Sequence, residues 1–351
     1  VNRIKSVALI AHGLGSKGFS GEKKVYIEIA RALKEKSIPF KVLSFSKPSE
    51  NINNHDLKYL IPFNIDKFDK YQRLLITLLA RRVKAELYIN ASGTLIPLSD
   101  IGTHIVYSGA PAFSRAPTKY SGSIFWKLYL LPFEIIMKKI YDKNAIVISN
   151  SYYSKKLIEE EYNITPKYVI YPPIDIEFFE RAFHLGEREN AILTISRIER
   201  GKMIENTITI AKETGLKAYI VGSLRDKSYF LKLKRLAKGS DITFLTDISN
   251  DQLLEVMKKV SIYFHPTIGE HFGMPVVEAM SAGLIPIVPK ESGSSEVVPE
   301  FSYRDIYEAI ELVKTLISER SKIRREMRER AKKFNSSRFR EEIASLILQY
   351  Y

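Results

Sequence analysis

The 351-residue chain has no cysteine. That excludes a disulfide scaffold, a thiolate metal centre and a cysteine nucleophile. It also lacks any uninterrupted apolar run of about 18 residues, the length a membrane-spanning helix needs. No Asp-x-Asp pair falls near an expected strand end and no two-histidine helix motif occurs, so no metal is expected. No short repeat or low-complexity segment stands out. The segment Val1–Ile10 carries charges and an apolar run without a small-residue cleavage pattern. It reads as a first strand and not as a signal peptide, which sets the expectation of a cytoplasmic protein.

What is abundant is positive charge. Lys and Arg total 54 against 40 Asp and Glu, for a formal charge of +14. Apolar residues make up 45 % and charged residues 27 %, the mix of a folded globular protein. Single cores stop growing near roughly 250–300 residues, so this length predicts two domains. The charge favours an acidic partner: nucleic acid, an anionic membrane surface or a phosphorylated small molecule. A basic surface with no specific partner is the plain alternative.

Strand and helix patterns alternate along the chain. Ile4–Ile10 reads as a strand, followed by the glycine-rich stretch Gly13–Gly21 and a helix carrying Val25, Ile29, Ala32 and Leu33. Further strands are expected at Phe40–Phe45, Leu87–Ile89, Ile105–Tyr107 and Ala145–Ile148, with helices at Leu74–Val83 and Ser123–Ile140. Tyr171-Pro172-Pro173-Ile174-Asp175 breaks the pattern, because paired prolines hold the chain extended. After the polar stretch Gly186–Asn190 it resumes: strands at Ala191–Ile195, Ala218–Val221, Ile242–Leu245, Ile262–Phe264 and Leu284–Val288, and helices from about Ile204, at Asp251–Val260 and at Pro275–Ala282. The tail from Tyr303 reads as helical. Such alternation predicts an α/β fold of parallel sheets covered by helices. The expected domains are 1–174, 175–332 and a terminal helix over 333–351. Ligands of such sheets bind beyond the carboxyl ends of the strands, so two of them suggest a cleft between the domains.

The chemistry concentrates in Ile262–Val288. A strand ends at Phe264, a loop runs to Met274, and Pro275 suits a first helical position. Gly273 and Met274 then sit at a helix N-terminus, where free amides and the helix dipole suit phosphate. Glu278 lies among Val276, Val277, Ala279 and Met280, so it is expected to be buried and to need a partner, such as sugar hydroxyls. Glu270, on the loop, can face the same ligand. Read singly, each glutamate is as well explained by a backbone cap, a lysine pair or solvent; the pair with its intervening glycine favours the ligand.

The run Glu270-His-Phe-Gly-Met-Pro-Val-Val-Glu278 resembles the E-x7-E signature of retaining GT-B glycosyltransferases of family four. The resemblance continues in order through Gly13–Gly21, Asn150-Ser151, Val169–Asp175, Ser196-Arg197 to Lys202, Val221-Gly222 and Ser292-Gly293 to Glu296. Gly-Leu-Ile-Pro-Ile-Val after Ala282 is similar to the dolichol-pathway α-1,2-mannosyltransferases. The resemblance implies two Rossmann-like domains, the first on the acceptor side and the second holding a nucleotide-sugar donor, with the last helix returning to the first domain. It implies that Arg197 and Lys202 hold the donor diphosphate, that Glu278 binds the ribose, and that Glu270 touches the transferred sugar and is the catalytic candidate. Gly222, Gly273 and Met274 complete the donor side. Gly18, Ser20 and Gly21 lie nearest the phosphates and acceptor. That loop is neither a dinucleotide G-x-G-x-x-G nor a P-loop.

One position departs from the family. Many relatives carry a histidine in a pattern like Tyr-x-His-x-Pro, and here Gly109 of Tyr107-Ser108-Gly109-Ala110-Pro111 takes its place. Ser108 and His271 are the candidate replacement sugar contacts, with His12 a further candidate; His104, five residues earlier, cannot simply substitute. No residue reads as a protein nucleophile. The resemblance implies metal-free, front-face attack on the anomeric carbon with the leaving phosphate as base, and no cofactor is expected.

Ser121–Ile140 combines aromatics, the single tryptophan and flanking lysines, as an interfacial helix does, although a core helix of the first domain explains them slightly better. With the charge, it suggests a peripheral enzyme at the cytosolic face of a membrane with a glycan or lipid-linked saccharide acceptor. The expected activity is transfer of a hexose, mannose or glucose, from a nucleotide-diphosphate sugar. The alternatives are a non-catalytic nucleotide-sugar-binding subunit, an epimerase or phosphorylase of the same fold, and a nucleic-acid-binding protein. No nucleic-acid motif supports the last, so no such partner is expected.

Overall fold

The computed structural model describes residues 6–11, 21–47, 56–63, 69–109, 124–317 and 321–351. The chain forms two compact units. One is built from the described residues up to 173 with 336–351, the other from the described residues of 174–335.

The first unit holds a parallel sheet of β1 Val7–Ile10, β2 Phe40–Ser46, β3 Asp56–Ile61, β4 Leu87–Asn90, β5 Thr103–Ser108, β6 Ile146–Ser149 and β7 Tyr168–Val169. Their spatial order is β3-β2-β1-β4-β5-β6-β7. Alternation along β1 sends Val7 and Leu9 to a core with Ile29, Leu33, Ile343 and Ile347, and Ala8 and Ile10 to one with Leu43, Ile76 and Ala80. Both faces are therefore covered, as a parallel sheet requires. The strand β3 and the helix Tyr152–Tyr162 lie outside the sequence expectation. β3 is a half-exposed edge strand with no clean alternation, which hides it from a periodicity reading.

The C-terminal helix Ser336–Leu348 packs in this unit on the helix Gly21–Glu35. Arg340 reaches the fully buried Glu28 at 2.7 Å and Glu35 at 2.8 Å. Phe339 meets Tyr107 edge-on with centroids 5.6 Å apart.

The second unit holds β8 Glu189–Ile195, β9 Lys217–Gly222, β10 Ile242–Thr246, β11 Val260–Phe264, β12 Ile285–Pro289 and β13 Ser302–Tyr303. The order is β10-β9-β8-β11-β12-β13, again parallel. Ile192, Ile262, Ile285 and Ile287 pack against Ile210, Ala309 and Val313. Ile220 packs with Ile198, Ile204, Ile208 and Leu233. The helix Lys227–Leu236 supplies Leu233 and was not evident from the sequence; Asp226 caps it by accepting from the Tyr229 amide. Among the described residues no helix is long and apolar enough to cross a membrane.

Candidate functional site

In the second sheet the strand order reverses between β8 and β11. Open parallel sheets bind ligands beyond the carboxyl ends of the strands at such a switch point. Ser196–Lys202 follows β8 there, and His265–Gly273 follows β11.

Lys202 sits in a tight turn between Gly201, φ +88°, and Met203, φ +51°. Its amide donates to the Glu199 carbonyl at 3.2 Å, and the Thr267 hydroxyl donates to its carbonyl at 3.3 Å. The turn is thus tied to the loop after β11. Across it, Lys202 Nζ donates to Glu270 Oε2 at 2.7 Å. These side chains stay 19 % and 25 % exposed. Enclosure by protein pushes the Glu270 carboxyl up, but the adjacent Lys202 ammonium, with His271 contributing, outweighs it and holds the pKa at about 2. Arg197 is exposed and reaches Glu199 at 3.2 Å.

The helix Met274–Ser281 begins one residue earlier than the sequence suggested, with Pro275 in its second position and Gly273 as N-cap. Gly273 adopts φ +84° and offers no side-chain cap, so side chains leave the first amides uncapped. A Cβ at Gly273 would lie 3.2 Å from both Ser294 and Val276, and any side chain would crowd the approach. Glu278, one turn in, is only 8 % exposed. The structure therefore brings Lys202, Glu270, Gly273, Met274 and Glu278 to one strand-end region, with His271 partly buried beside Glu270. Gly222 has a structural task of its own: a Cβ there would stand 1.7 Å from the Ser196 carbonyl oxygen.

His265 is a site residue that the sequence reading did not single out. It is 3 % exposed, and its Nε2 has no hydrogen-bond partner and lies 3.7 Å from the position of a Gly273 Cβ. Its Nδ1 meets the Tyr263 hydroxyl at 3.1 Å. Burial pushes the imidazole down to about 4, so it is neutral at pH 7. Burial, reinforced by Glu278 and Glu270, raises Tyr263 well above its ordinary value. The available signal was the period-two alternation that puts Tyr263 and His265 on one side of the strand end.

The first-unit candidates lie at strand ends of their own sheet. Ser108 ends β5, is 2 % exposed, and donates to the Gly93 carbonyl at 3.2 Å. At Gly109 a Cβ would stand 2.7 Å from the Asn150 amide nitrogen, so a larger residue would have to displace Asn150. His104 lies inside β5, where Nδ1 meets Asp142 at 2.8 Å in a buried structural network. Ser151 caps the helix Tyr152–Tyr162 by accepting from the Ser154 amide. Gly21 opens the helix Gly21–Glu35. Gly18, Ser20, His12, Ala110 and Pro111 lie outside the described residues.

The glycosyl transferases group 1 family matches residues 175–334, which contain this whole second-unit constellation. A GDP-Man:Man(3)GlcNAc(2)-PP-Dol alpha-1,2-mannosyltransferase of Dictyostelium discoideum is 27 % identical over 202 residues, 49 % of this chain and 40 % of that protein. The Neurospora crassa protein of the same description is 25 % identical over 236 residues, 57 % of this chain and 41 % of that protein. The matches thus span about two fifths of the length of these curated relatives. Among solved structures, the Anabaena Alr3699/HepE complex with UDP and glucose superposes with TM-score 0.72 at 17 % identity, covering 98 % of this chain and 100 % of that one. Sucrose-phosphate synthase from Thermosynechococcus elongatus gives TM-score 0.74 at 16 % identity, covering 98 % of each chain. The chain has the GT-B fold of two parallel-sheet α/β units, and its residues 175–334 match the glycosyl transferases group 1 family.

Proposed function

We propose that the chain is a retaining, metal-independent glycosyltransferase that moves a hexose from a nucleotide-diphosphate sugar to a glycan or lipid-linked saccharide. The observation that carries this is the convergence of Lys202, Glu270, uncapped Gly273 and buried Glu278 at the β8/β11 switch point. Amides at Gly273 and Met274 and the cations Lys202 and Arg197 are suited to a diphosphate leaving group. Glu278 is assigned to the ribose and Glu270 to the sugar hydroxyls. Gly222 shapes the donor pocket through the close strand approach it permits. Ser108, Gly109 and the loop ending at Gly21 are assigned to the acceptor side.

In this reading the acceptor hydroxyl attacks the anomeric carbon on the face from which the diphosphate departs. The bond from that carbon to the diphosphate oxygen breaks, and a phosphate oxygen takes the proton. The mannosyltransferase relatives, whose names specify GDP-mannose and a dolichyl-diphosphate acceptor, favour mannose and a lipid-linked acceptor.

Contact with the cytosolic face of a membrane belongs to the same reading. The helix Ile124–Ile140 leaves Leu128 64 %, Leu131 50 % and Ile135 48 % exposed, with Lys138 and Lys139 in its last turn. Its tryptophan side chain lies outside the described residues. Exposed leucines beside lysines suit an anionic interface.

A thermal-shift panel of nucleotide sugars tests the reading, since a ligand that binds only the folded chain raises its melting temperature. Turnover of the stabilising donor, with NMR assignment of the product's anomeric configuration, then follows. Binding without turnover across donors and acceptors would support the non-catalytic binding subunit that Gly109 suggests.

A further inference from the structure

Both cations assigned to the donor already hold a carboxylate. Arg197 meets Glu199 at 3.2 Å and Lys202 meets Glu270 at 2.7 Å. The second pair joins two residues with different assignments, one to the diphosphate and one to the sugar. We propose that Lys202 and Glu270 form an exchangeable pair: a diphosphate displaces the carboxylate from the ammonium, and only then is Glu270 released toward a sugar hydroxyl. This rests on the donor reading above and adds a selection rule to it. A sugar without its diphosphate cannot draw Lys202 away and meets a carboxylate already engaged.

The backbone on both sides is pinned, so the exchange needs side-chain motion alone. Lys202 is held through the Glu199 carbonyl and the Thr267 hydroxyl. Glu270 is held by the Gly293 amide, which donates to its carbonyl at 2.8 Å, and the neighbouring Gly269 amide donates to the Glu291 carbonyl at 2.8 Å. Partial exposure of both side chains leaves the pair open to a competing anion, unlike a core ion pair. A diphosphate carries more charge and more acceptor oxygens than a carboxylate, so it wins the ammonium. A carboxylate left at the same place would repel it. Glu270 remains ionised throughout the neutral range, so the carboxylate's side of the competition does not vary with pH there.

Calorimetric titration of the full chain with inorganic pyrophosphate tests the exchange, using wild type, Glu270→Gln, Glu270→Ala and Lys202→Met after melting curves confirm folding. Removing the competitor predicts about three- to tenfold tighter pyrophosphate binding in both Glu270 variants, and Lys202→Met weakens it. In parallel, the preference for GDP-mannose over GDP, or for UDP-glucose over UDP, shrinks in the Glu270 variants. Unchanged or weaker pyrophosphate binding in both Glu270 variants, with Lys202→Met still impaired, overturns the exchange while the donor reading stands. Equal binding by wild type and Lys202→Met overturns the exchange and the placing of the diphosphate on Lys202. Absence of binding to pyrophosphate and to all four nucleotides overturns the donor reading, and the exchange with it.

Discussion

The Tyr263 hydroxyl and the His265 Nδ1, two residues apart at the end of β11, are joined at 3.1 Å beneath the N-terminus of the helix Met274–Ser281. The phenol is fully buried and keeps its proton. It therefore donates to Nδ1, which leaves the imidazole proton on Nε2, facing Gly273. The prediction is an Nε2–H tautomer that stays neutral down to about pH 4. Nitrogen-15 NMR of His265 reads both; a midpoint near the ordinary histidine value of about 6.5 would contradict the arrangement.

Glu278→Ala and Lys202→Ala are each expected to weaken donor binding about ten- to hundredfold with the fold intact, the weight of charge-assisted hydrogen bonds. Calorimetry with the stabilising nucleotide sugar measures this, and near-infrared or ultraviolet melting curves check the fold. Unchanged affinity in both variants would remove these residues from the site.

Acid should unpick the Lys202–Glu270 contact. The folded carboxyl sits at about 2 against an ordinary 4.5, so it binds its proton more weakly folded than unfolded. Its stabilisation is complete above about pH 4.5 and is lost as the pH falls toward 2. Asp142, buried beside His104, is also held below the ordinary carboxylate range: burial pushes it up, but the hydrogen bond and charge of His104 outweigh that, so it adds loss in the same direction. Lys202→Met should flatten the acid limb of a stability curve measured by urea unfolding between pH 7 and 3. An unaltered limb would mean the pair contributes nothing.

Arg188 shows what a linear reading misses. It lies in the polar stretch Gly186–Asn190, yet it is 6 % exposed. Its guanidinium donates to the carbonyls of Met257, Val260, Ala182 and Ala282, tying the C-terminal ends of the helices Ile176–Glu180, Asn250–Lys259 and Met274–Ser281 to the start of β11. Burial, with Arg324 nearby, pushes its pKa down to about 9. Arg188→Met should cost about 3 kcal/mol by leaving buried carbonyls unpaired. Chemical denaturation measures it, and a loss below about 0.5 kcal/mol would show that water replaces the side chain.

For the membrane contact, Leu131→Glu with Ile135→Glu should abolish sedimentation with anionic phosphatidylglycerol vesicles while leaving pyrophosphate binding intact. Equal sedimentation of wild type and double variant would remove this helix from the interface.

The parts legible in the sequence were those set by local periodicity and spacing. Strands such as Ile262–Phe264 are continuous apolar runs, and Gly273 with Glu270 and Glu278 announces a helix start beside two acids. What stayed hidden depends on distant partners. The close approach of the Ser196 carbonyl to Gly222 is one such relation. His265 looks like an ordinary strand-end residue until its free nitrogen is found at Gly273. The pairing of Lys202 with Glu270 links residues 68 apart in sequence, and no spacing rule reports it.

A crystal structure with an intact nucleotide sugar tests the central claim most directly. The account predicts the diphosphate against the amides of Gly273 and Met274 with Lys202 turned onto it, and Glu278 on the ribose hydroxyls. A diphosphate bound away from the β8/β11 strand ends, or Glu278 without contact to the ligand, would contradict it.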